Sequence, residues 1–189
     1  MSIESGQRTL EERLQVAAYI GDGIQVRHLI DAGAQVRAHG SLALRLACCR
    51  GHTSVARQLV AADPRQLSGY SLALGWAAAN GRTETVAMLI TAGADARARR
   101  DEALRMAVGA GHVDTVRLLL AAGCRFDPAL AEDVIELERT GAKKGNGEAG
   151  SALIRVLLEF AQQADGDAAK ILSRPWRPAR TSESANDGV

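Results

Sequence analysis

The segment AVGAGHVDTVRLLLAAGC, residues 107–124, is one of four similar copies along the chain, which differ by substitutions. The earlier copies begin at positions 77, 47 and 17, so the interval between copies is thirty residues each time. Each copy starts with alanine, has a glycine four residues later, and has two aliphatic residues eight and nine positions beyond that glycine. A repeated apolar pattern of this period is typical of stacked supersecondary units, none of which can bury its own apolar face alone.

Apolar residues at helical spacing on both sides of each repeat glycine predict two short helices per unit. Apolar side chains recur seven, five and four residues before the glycine, as in Leu104, Met106 and Ala107. Thr9 and Glu12 have capping-box spacing at the start of the first helix. The corresponding N-cap residues predicted for the later units are Ser41, Ser71 and Asp101. The glycines predicted to end the second helices in a left-handed conformation are Gly33, Gly93 and Gly123.

The four copies resemble the ankyrin repeat, whose core reads as alanines, a Gly-His pair and a Val-x-x-Leu-Leu run ending in Gly-Ala-Asp. The copies are AAYIGDGIQVRHLIDAGA, ACCRGHTSVARQLVAADP, AAANGRTETVAMLITAGAD and AVGAGHVDTVRLLLAAGC. The likeness covers residues 10–126 and implies an all-α, ankyrin-like solenoid of stacked helix-turn-helix repeats. The usual unit has about 33 residues and opens with Thr-Pro-Leu-His, whereas residues 42–45 read Leu-Ala-Leu-Arg. We therefore expect shortened inter-repeat loops.

The pattern predicts one repeat domain over residues 1–163, followed by a tail. Its repeats are expected at approximately 10–40, 41–70, 71–100 and 101–126, with a divergent C-terminal cap at 127–163. Within the cap, residues 142–150 have the turn and linker composition of an insertion. Residues 164–189 are polar and contain prolines, which is typical of a tail without helical period.

Composition excludes several classes of function. The net charge of +1 gives no global attraction to nucleic acid or to a membrane. No stretch approaches the roughly 18 to 20 apolar residues of a membrane span, and the N-terminal residues lack the apolar segment of a signal peptide. We therefore expect a cytoplasmic protein that binds neither nucleic acid nor membranes. Twenty arginines against three lysines, with abundant alanine, favour a GC-rich bacterial genome.

No residue pattern indicates catalysis. Cys48, Cys49 and Cys124 lack metal-ligand spacing. Cys48 and Cys49 are in or beside the alanine positions of a helix, and we interpret these two as small buried apolar residues. His52 and His112 follow repeat glycines, where the resemblance to ankyrin repeats implies a structural histidine. The glycine-rich stretch 141–150 does not match a P-loop. The sequence therefore predicts a non-enzyme with no catalytic residue, no metal site and no cofactor.

The resemblance implies that partners contact a concave surface made by the inter-repeat loops and the first helices. The candidate partner-binding residues transferred by position are Tyr19, Arg37, His39, Arg50, Arg65, Tyr70, Asn80, Arg97, Arg99 and Arg100. Five loop arginines accompany only two acids, Asp95 and Asp101, so the loop edge is predicted to be basic and to meet an acidic protein surface. The alternative is a solvated loop face whose charge is balanced elsewhere on the molecule.

We predict a non-catalytic protein–protein interaction module that is monomeric by itself. Two other roles stay open at this point: an immunity or inhibitor protein that neutralises a cognate toxin or enzyme, and a bacterial effector that acts on a host protein. The sequence does not identify the partner, because one scaffold of this kind can serve many unrelated functions.

Overall fold

The structure, a computed structural model, describes residues 8–64, 67–127, 130–132, 134–136 and 147–161. These residues are mainly helical and contain no strand, which confirms the all-α fold class. The helices are α1 (Leu10–Ile20), α2 (Gly23–Asp31), α3 (Ala38–Arg50), α4 (Thr53–Ala62), α5 (Leu67–Ala79), α6 (Thr83–Thr91), α7 (Ala98–Gly109), α8 (Val113–Ala121) and α9 (Gly147–Ala161). Residues 130–132 and 134–136 are also helical. Arg65 and the tail 164–189 lie outside the described residues, as does most of the predicted insertion.

The helices stack in two layers. Helices α1, α3, α5 and α7 contact one another in chain order, and we call them the first-helix layer. Helices α2, α4, α6 and α8 do the same and form the second-helix layer, while α9 packs on α8. Each helix of the first layer also contacts the next helix along the chain, so each repeat is one helix pair.

One continuous hydrophobic core fills the space between the layers. It contains the leucines and alanines that recur at thirty-residue intervals, each at most 2% exposed: Leu14, Leu44, Leu74, Leu104, Ala17, Ala47, Ala77 and Ala107. Burying a leucine side chain contributes about 1.5 to 3 kcal/mol. The small alanines let neighbouring helix backbones approach, so this core depends on close stacking more than on bulk.

The predicted helix ends are confirmed where they rest on local capping chemistry. The Thr9 hydroxyl accepts a hydrogen bond from the Glu12 backbone N–H at 3.2 Å, and the Glu12 carboxylate accepts one from the Thr9 N–H at 3.1 Å. Gly33, Gly93 and Gly123 have φ of 92°, 95° and 90°, as expected for glycines that end a helix in the left-handed region.

The predicted N-caps at Ser41, Ser71 and Asp101 are wrong. Two segments, 39–41 and 99–101, form left-handed turns with φ between 52° and 63°. The Ser41 hydroxyl is buried and has no hydrogen-bond partner among the described residues, and the Asp101 carboxylate accepts from the distant Arg125 N–H at 3.2 Å. Ser71 lies inside α5, which begins at Leu67. The two left-handed turns fall within the first residues of α3 and α7, directly after the short links between repeats, and they occupy the positions where the caps at Ser41 and Asp101 were predicted.

Candidate partner-binding surface

The first-helix layer presents a row of apolar side chains to solvent. The row comprises Val16, Leu46, Trp76 and Met106, which are spaced by thirty residues. Val16, Trp76 and Met106 are 41%, 37% and 36% exposed, and Leu46 is half-buried. We call these four side chains the apolar row. Contiguous exposed apolar surface of this kind often marks an interaction site.

A groove lies at the N-terminal end of the apolar row. Its volume is about 470 Å³, and its lining residues come from α1, α3 and the segment before α1. They are Arg8, Glu12, Gln15, Val16, Tyr19 and Leu46. The lining of the groove therefore combines apolar side chains with charged and polar ones.

Two arginines stack on aromatic rings beside the apolar row. The Arg45 guanidinium lies 5.0 Å from the centroid of the Trp76 ring, and the Arg50 guanidinium lies 4.8 Å from that of Tyr19. Within the described residues neither arginine forms an ion pair, and Arg45 Nε is buried there without a hydrogen-bond partner. Both are cation–π contacts that hold a positive charge against apolar surface.

The predicted residues at the ends of the first helices lie beside this surface. Tyr19 is 45% exposed and contacts Arg50, so the structure brings these two together. Asn80 is exposed, and its Nδ2 donates to the Trp76 carbonyl at 2.8 Å. All three side chains are therefore placed where a partner on the apolar row could reach them.

The predicted loop residues are more engaged within the chain than the sequence indicated. Arg37 forms an ion pair with Asp63, whose hydrogen bond raises the pKa of Arg37. The Nδ1 atom of His39 lies 3.0 Å from the Gln15 side-chain nitrogen.

The arginines at the start of α7 are only partly neutralised. Arg99 pairs with Glu102 at 3.2 Å, whereas Arg97 and Arg100 are exposed and form no ion pair in the part of the chain that the structure describes. The predicted balance of five arginines against two acids left out Asp63 and Glu102, so this loop edge is less basic than predicted.

Tyr70 is not on the surface, which corrects its assignment as a binding residue. It is 1% exposed, and its hydroxyl donates to the carbonyls of Asp63 at 2.7 Å and Val60 at 3.2 Å. Burial raises the pKa of its hydroxyl. Because the second repeat exits through Asp63-Pro64 and α5 begins early, Tyr70 points into the core instead of into a loop.

The residues that directly follow three of the repeat glycines join neighbouring repeats. His52 Nε2 lies 3.0 Å from the Tyr19 carbonyl, and His112 Nε2 lies 3.1 Å from the Ala79 carbonyl. Arg82 takes the same position in the third repeat and donates from Nε to the Cys49 carbonyl at 3.3 Å. These contacts give the histidines the structural role that the sequence analysis assigned to them.

The buried cysteines have thiols that resist ionisation. Desolvation raises the pKa of Cys48 and of Cys124 to about 12. The Cys124 thiol also donates a hydrogen bond to the Ala96 carbonyl at 3.2 Å. Within the described ranges, no group of three or more His, Cys, Asp or Glu side chains is arranged to hold a metal ion. No helix in the same ranges has both the length and the apolar content needed to cross a membrane.

A family model described as Ankyrin repeats (3 copies) matches residues 62–129, from the end of α4 to a point beyond α8. A comparison with curated proteins gives no match. The family match agrees with the resemblance drawn from the sequence and with the helix pairs of the structure.

Proposed function

This chain carries ankyrin repeats, and we propose that it is a non-catalytic module that binds a partner protein on its first-helix layer. Ankyrin repeats are in general protein–protein interaction modules. The observation that gives this proposal most support is the apolar row, flanked by Arg45 and Arg50 stacked on Trp76 and Tyr19. It offers one surface with both apolar anchors and charge.

The residue types on this surface are those that dominate binding energy in protein interfaces. Trp, Tyr and Arg are enriched among side chains whose truncation costs more than about 2 kcal/mol of binding free energy. Trp76 and Tyr19 are each held by an arginine before any partner arrives. A pre-ordered side chain loses less entropy on binding, so this arrangement favours affinity.

The partner is expected to present an acidic surface. Arg45 and Arg50 have no carboxylate partner within the described residues, and Arg97 and Arg100 add exposed charge at the loop edge. Carboxylates on a partner would pair with these guanidinium groups. Charges at the rim of an interface act mainly by raising the rate of association.

The division into a repeat domain 1–163, with a cap at 127–163, is part of this proposal and is supported by the packing of α9 on α8. The monomeric state and the cytoplasmic location stay predictions from the sequence. The immunity and effector roles stay alternatives. Either role would use the same surface, so the surface does not distinguish between them.

Affinity capture from native cell lysate tests the proposal. Wild-type protein is compared by quantitative mass spectrometry with Trp76→Ser on the apolar row and with Arg57→Glu on the exposed face of α4. We expect a protein that is retained by wild type and Arg57→Glu and is lost from Trp76→Ser. Loss from Arg57→Glu with retention by Trp76→Ser would move the binding surface to the second-helix layer and overturn the proposal.

A further inference from the structure

The turn between α1 and α2 exposes three apolar side chains. Ile20 and Ile24, on either side of the turn, are 61% and 75% exposed, and the neighbouring Tyr19 is 45% exposed. We call these three residues the rim patch. Tyr19 and Ile20 are at the end of α1 and Ile24 is at the start of α2, and Tyr19 also lines the groove.

Comparison between repeats shows that the rim patch is particular to the first repeat. Thirty, sixty and ninety residues after Ile20 stand Arg50, Asn80 and Ala110, and after Ile24 stand Ser54, Glu84 and Asp114. All six of these residues are exposed. Exposure at these positions therefore belongs to the repeat itself, since it is also found in repeats that have neighbours on both sides.

The first repeat has a charged side chain at a position that is apolar in the later repeats. Exposed Arg13 stands where those repeats have buried Ala43, Ala73 and Ala103. Polar substitution of this kind is what a terminal repeat needs for solubility. A repeat that is adapted to solvent at its end, yet has isoleucine at two exposed positions, has an apolar surface beyond what folding requires.

The charges around the rim patch indicate the chemistry of its occupant. Arg50 is stacked on Tyr19 and forms no ion pair within the described residues. Asp22, between the two isoleucines, is exposed and accepts a hydrogen bond from the Gln25 N–H at 2.9 Å. A carboxylate in the middle of the patch disfavours an anionic lipid surface, whereas Arg50 at its side can pair with a single carboxylate on a protein.

We propose that the rim patch is a second part of the docking surface and is occupied by an apolar segment of the partner protein that bears a carboxylate for Arg50. The partner then continues from the apolar row through the groove and around the α1–α2 turn. This proposal rests on the proposed function, because it assigns the same partner to both regions.

A chain with Ile20→Asn and Ile24→Glu tests the proposal, since these are the residues found at the equivalent positions of the third repeat. A matched control adds Asn80→Ile and Glu84→Ile, which moves the patch by two repeats at constant composition. The probe is a synthetic amphipathic helical peptide of about four turns, with a leucine row flanked by glutamates. A second peptide has glutamine in place of every glutamate.

The readouts are the NMR signals of the Ile20 and Ile24 methyl groups in the full chain and the dissociation constant by calorimetry. We expect the acidic peptide to shift both methyl signals and to bind about tenfold more weakly to the double variant and to the moved-patch control, as for loss of one substantial contact. The glutamine peptide should bind more weakly to wild type than the acidic peptide.

Several results would overturn the inference. These are unmoved methyl signals, no binding of the acidic peptide, equal binding of the two peptides, or equal binding of the acidic peptide to the wild type and to the double variant. Self-association in sedimentation that is lost in the double variant would assign the patch to a second copy of the chain. Binding to phosphatidylserine vesicles that is lost in the double variant would assign it to a membrane. A further outcome separates the two proposals. If Trp76→Ser abolishes peptide binding, and the acidic peptide leaves the Ile20 and Ile24 methyl signals of the wild type unmoved, the proposed function is retained and the rim patch has no part in it.

Discussion

Three repeat glycines, Gly21, Gly51 and Gly81, combine a positive φ with a side chain of the next repeat that would clash with any Cβ placed there. Gly81 has φ of +64°, and a Cβ placed there would lie 2.6 Å from Nδ1 of His112 in the next repeat. Gly33 has φ of +92°, but no atom of the described residues outside its immediate chain neighbours lies within 4 Å of the Cβ position. A side chain at Gly33 therefore adds only the free-energy cost of a left-handed backbone. A side chain at Gly81 adds the cost of a steric clash between repeats as well.

We predict that Gly33→Ala costs about 1 to 2 kcal/mol of unfolding free energy, from the left-handed backbone alone. Gly81→Ala should cost more, because it adds displacement of the His112 ring and threatens that ring's contact with the Ala79 carbonyl. Urea denaturation of the two variants measures both costs. Equal losses would mean that His112 moves away freely and that its contact adds little.

The cysteines give a second prediction. Cys48 and Cys124 are buried with pKa near 12, whereas Cys49 is half-buried. In the native protein at pH 8, a thiol reagent such as DTNB should modify Cys49 first and should reach the other two only on unfolding. Rapid modification of all three thiols would contradict the burial of Cys48 and Cys124.

Burial of these two thiols also makes the free energy of unfolding fall at alkaline pH. The folded-state pKa of Cys48 and Cys124 is raised above the ordinary value of 9.0. The unfolded chain therefore ionises these thiols before the folded chain does. Their contribution is complete below pH 9 and is lost as the pH rises towards 12. Melting temperatures measured across this range should fall more steeply for the wild type than for a Cys48→Ala, Cys124→Ala variant.

At the scale of the helix, small residues set the distance between repeats. Ala77 in α5 is 0% exposed and lies within the core shared by the two layers. We predict that Ala77→Leu overpacks this contact and costs about 1 to 3 kcal/mol of unfolding free energy. Ala110→Leu, at an exposed position, is the matched control. Thermal melting that is unchanged for Ala77→Leu would mean that the stack can open around α5.

The helix pairs were predictable because the apolar pattern within each thirty-residue unit has helical spacing, and because caps such as Thr9 with Glu12 depend only on residues close in sequence. The left-handed turns 39–41 and 99–101 were not, because short links between repeats impose them on residues such as Ser41 and Asp101 that favour ordinary N-caps. Tyr70 was misplaced for a related reason, since the early start of α5 depends on how the second repeat ends.

The site was only partly predictable. Tyr19, Arg50 and Asn80 lie on the exposed first-helix layer, as position in the repeat indicated. The apolar row was missed because buried and exposed residues both recur at thirty residues, so periodicity alone cannot separate Leu14 from Val16. A comparison of equivalent positions between repeats would have drawn attention to Ile20 and Ile24, because the other repeats have polar residues or alanine at these two positions.

At the scale of the whole molecule, the loop charges are expected to affect association more than folding. Reversal of Arg97, Arg99 and Arg100 to Glu should leave the helical spectrum and the melting temperature nearly unchanged, because exposed charges contribute little to stability. The triple variant should bind the captured partner more slowly, with the largest difference at low salt. Arg57→Glu is the control, and an equal effect of that variant would contradict a role specific to the loop edge.

Oxidative footprinting of the captured complex tests most directly whether the first-helix layer is the binding surface. Met106 is 36% exposed on the apolar row, and Met88 is 7% exposed in the core and serves as an internal reference. We expect the bound partner to slow oxidation of Met106 and of Trp76 relative to the free protein, while Met88 oxidises equally slowly in both. Oxidation of Met106 and Trp76 at the free-protein rate in a fully formed complex would contradict this expectation.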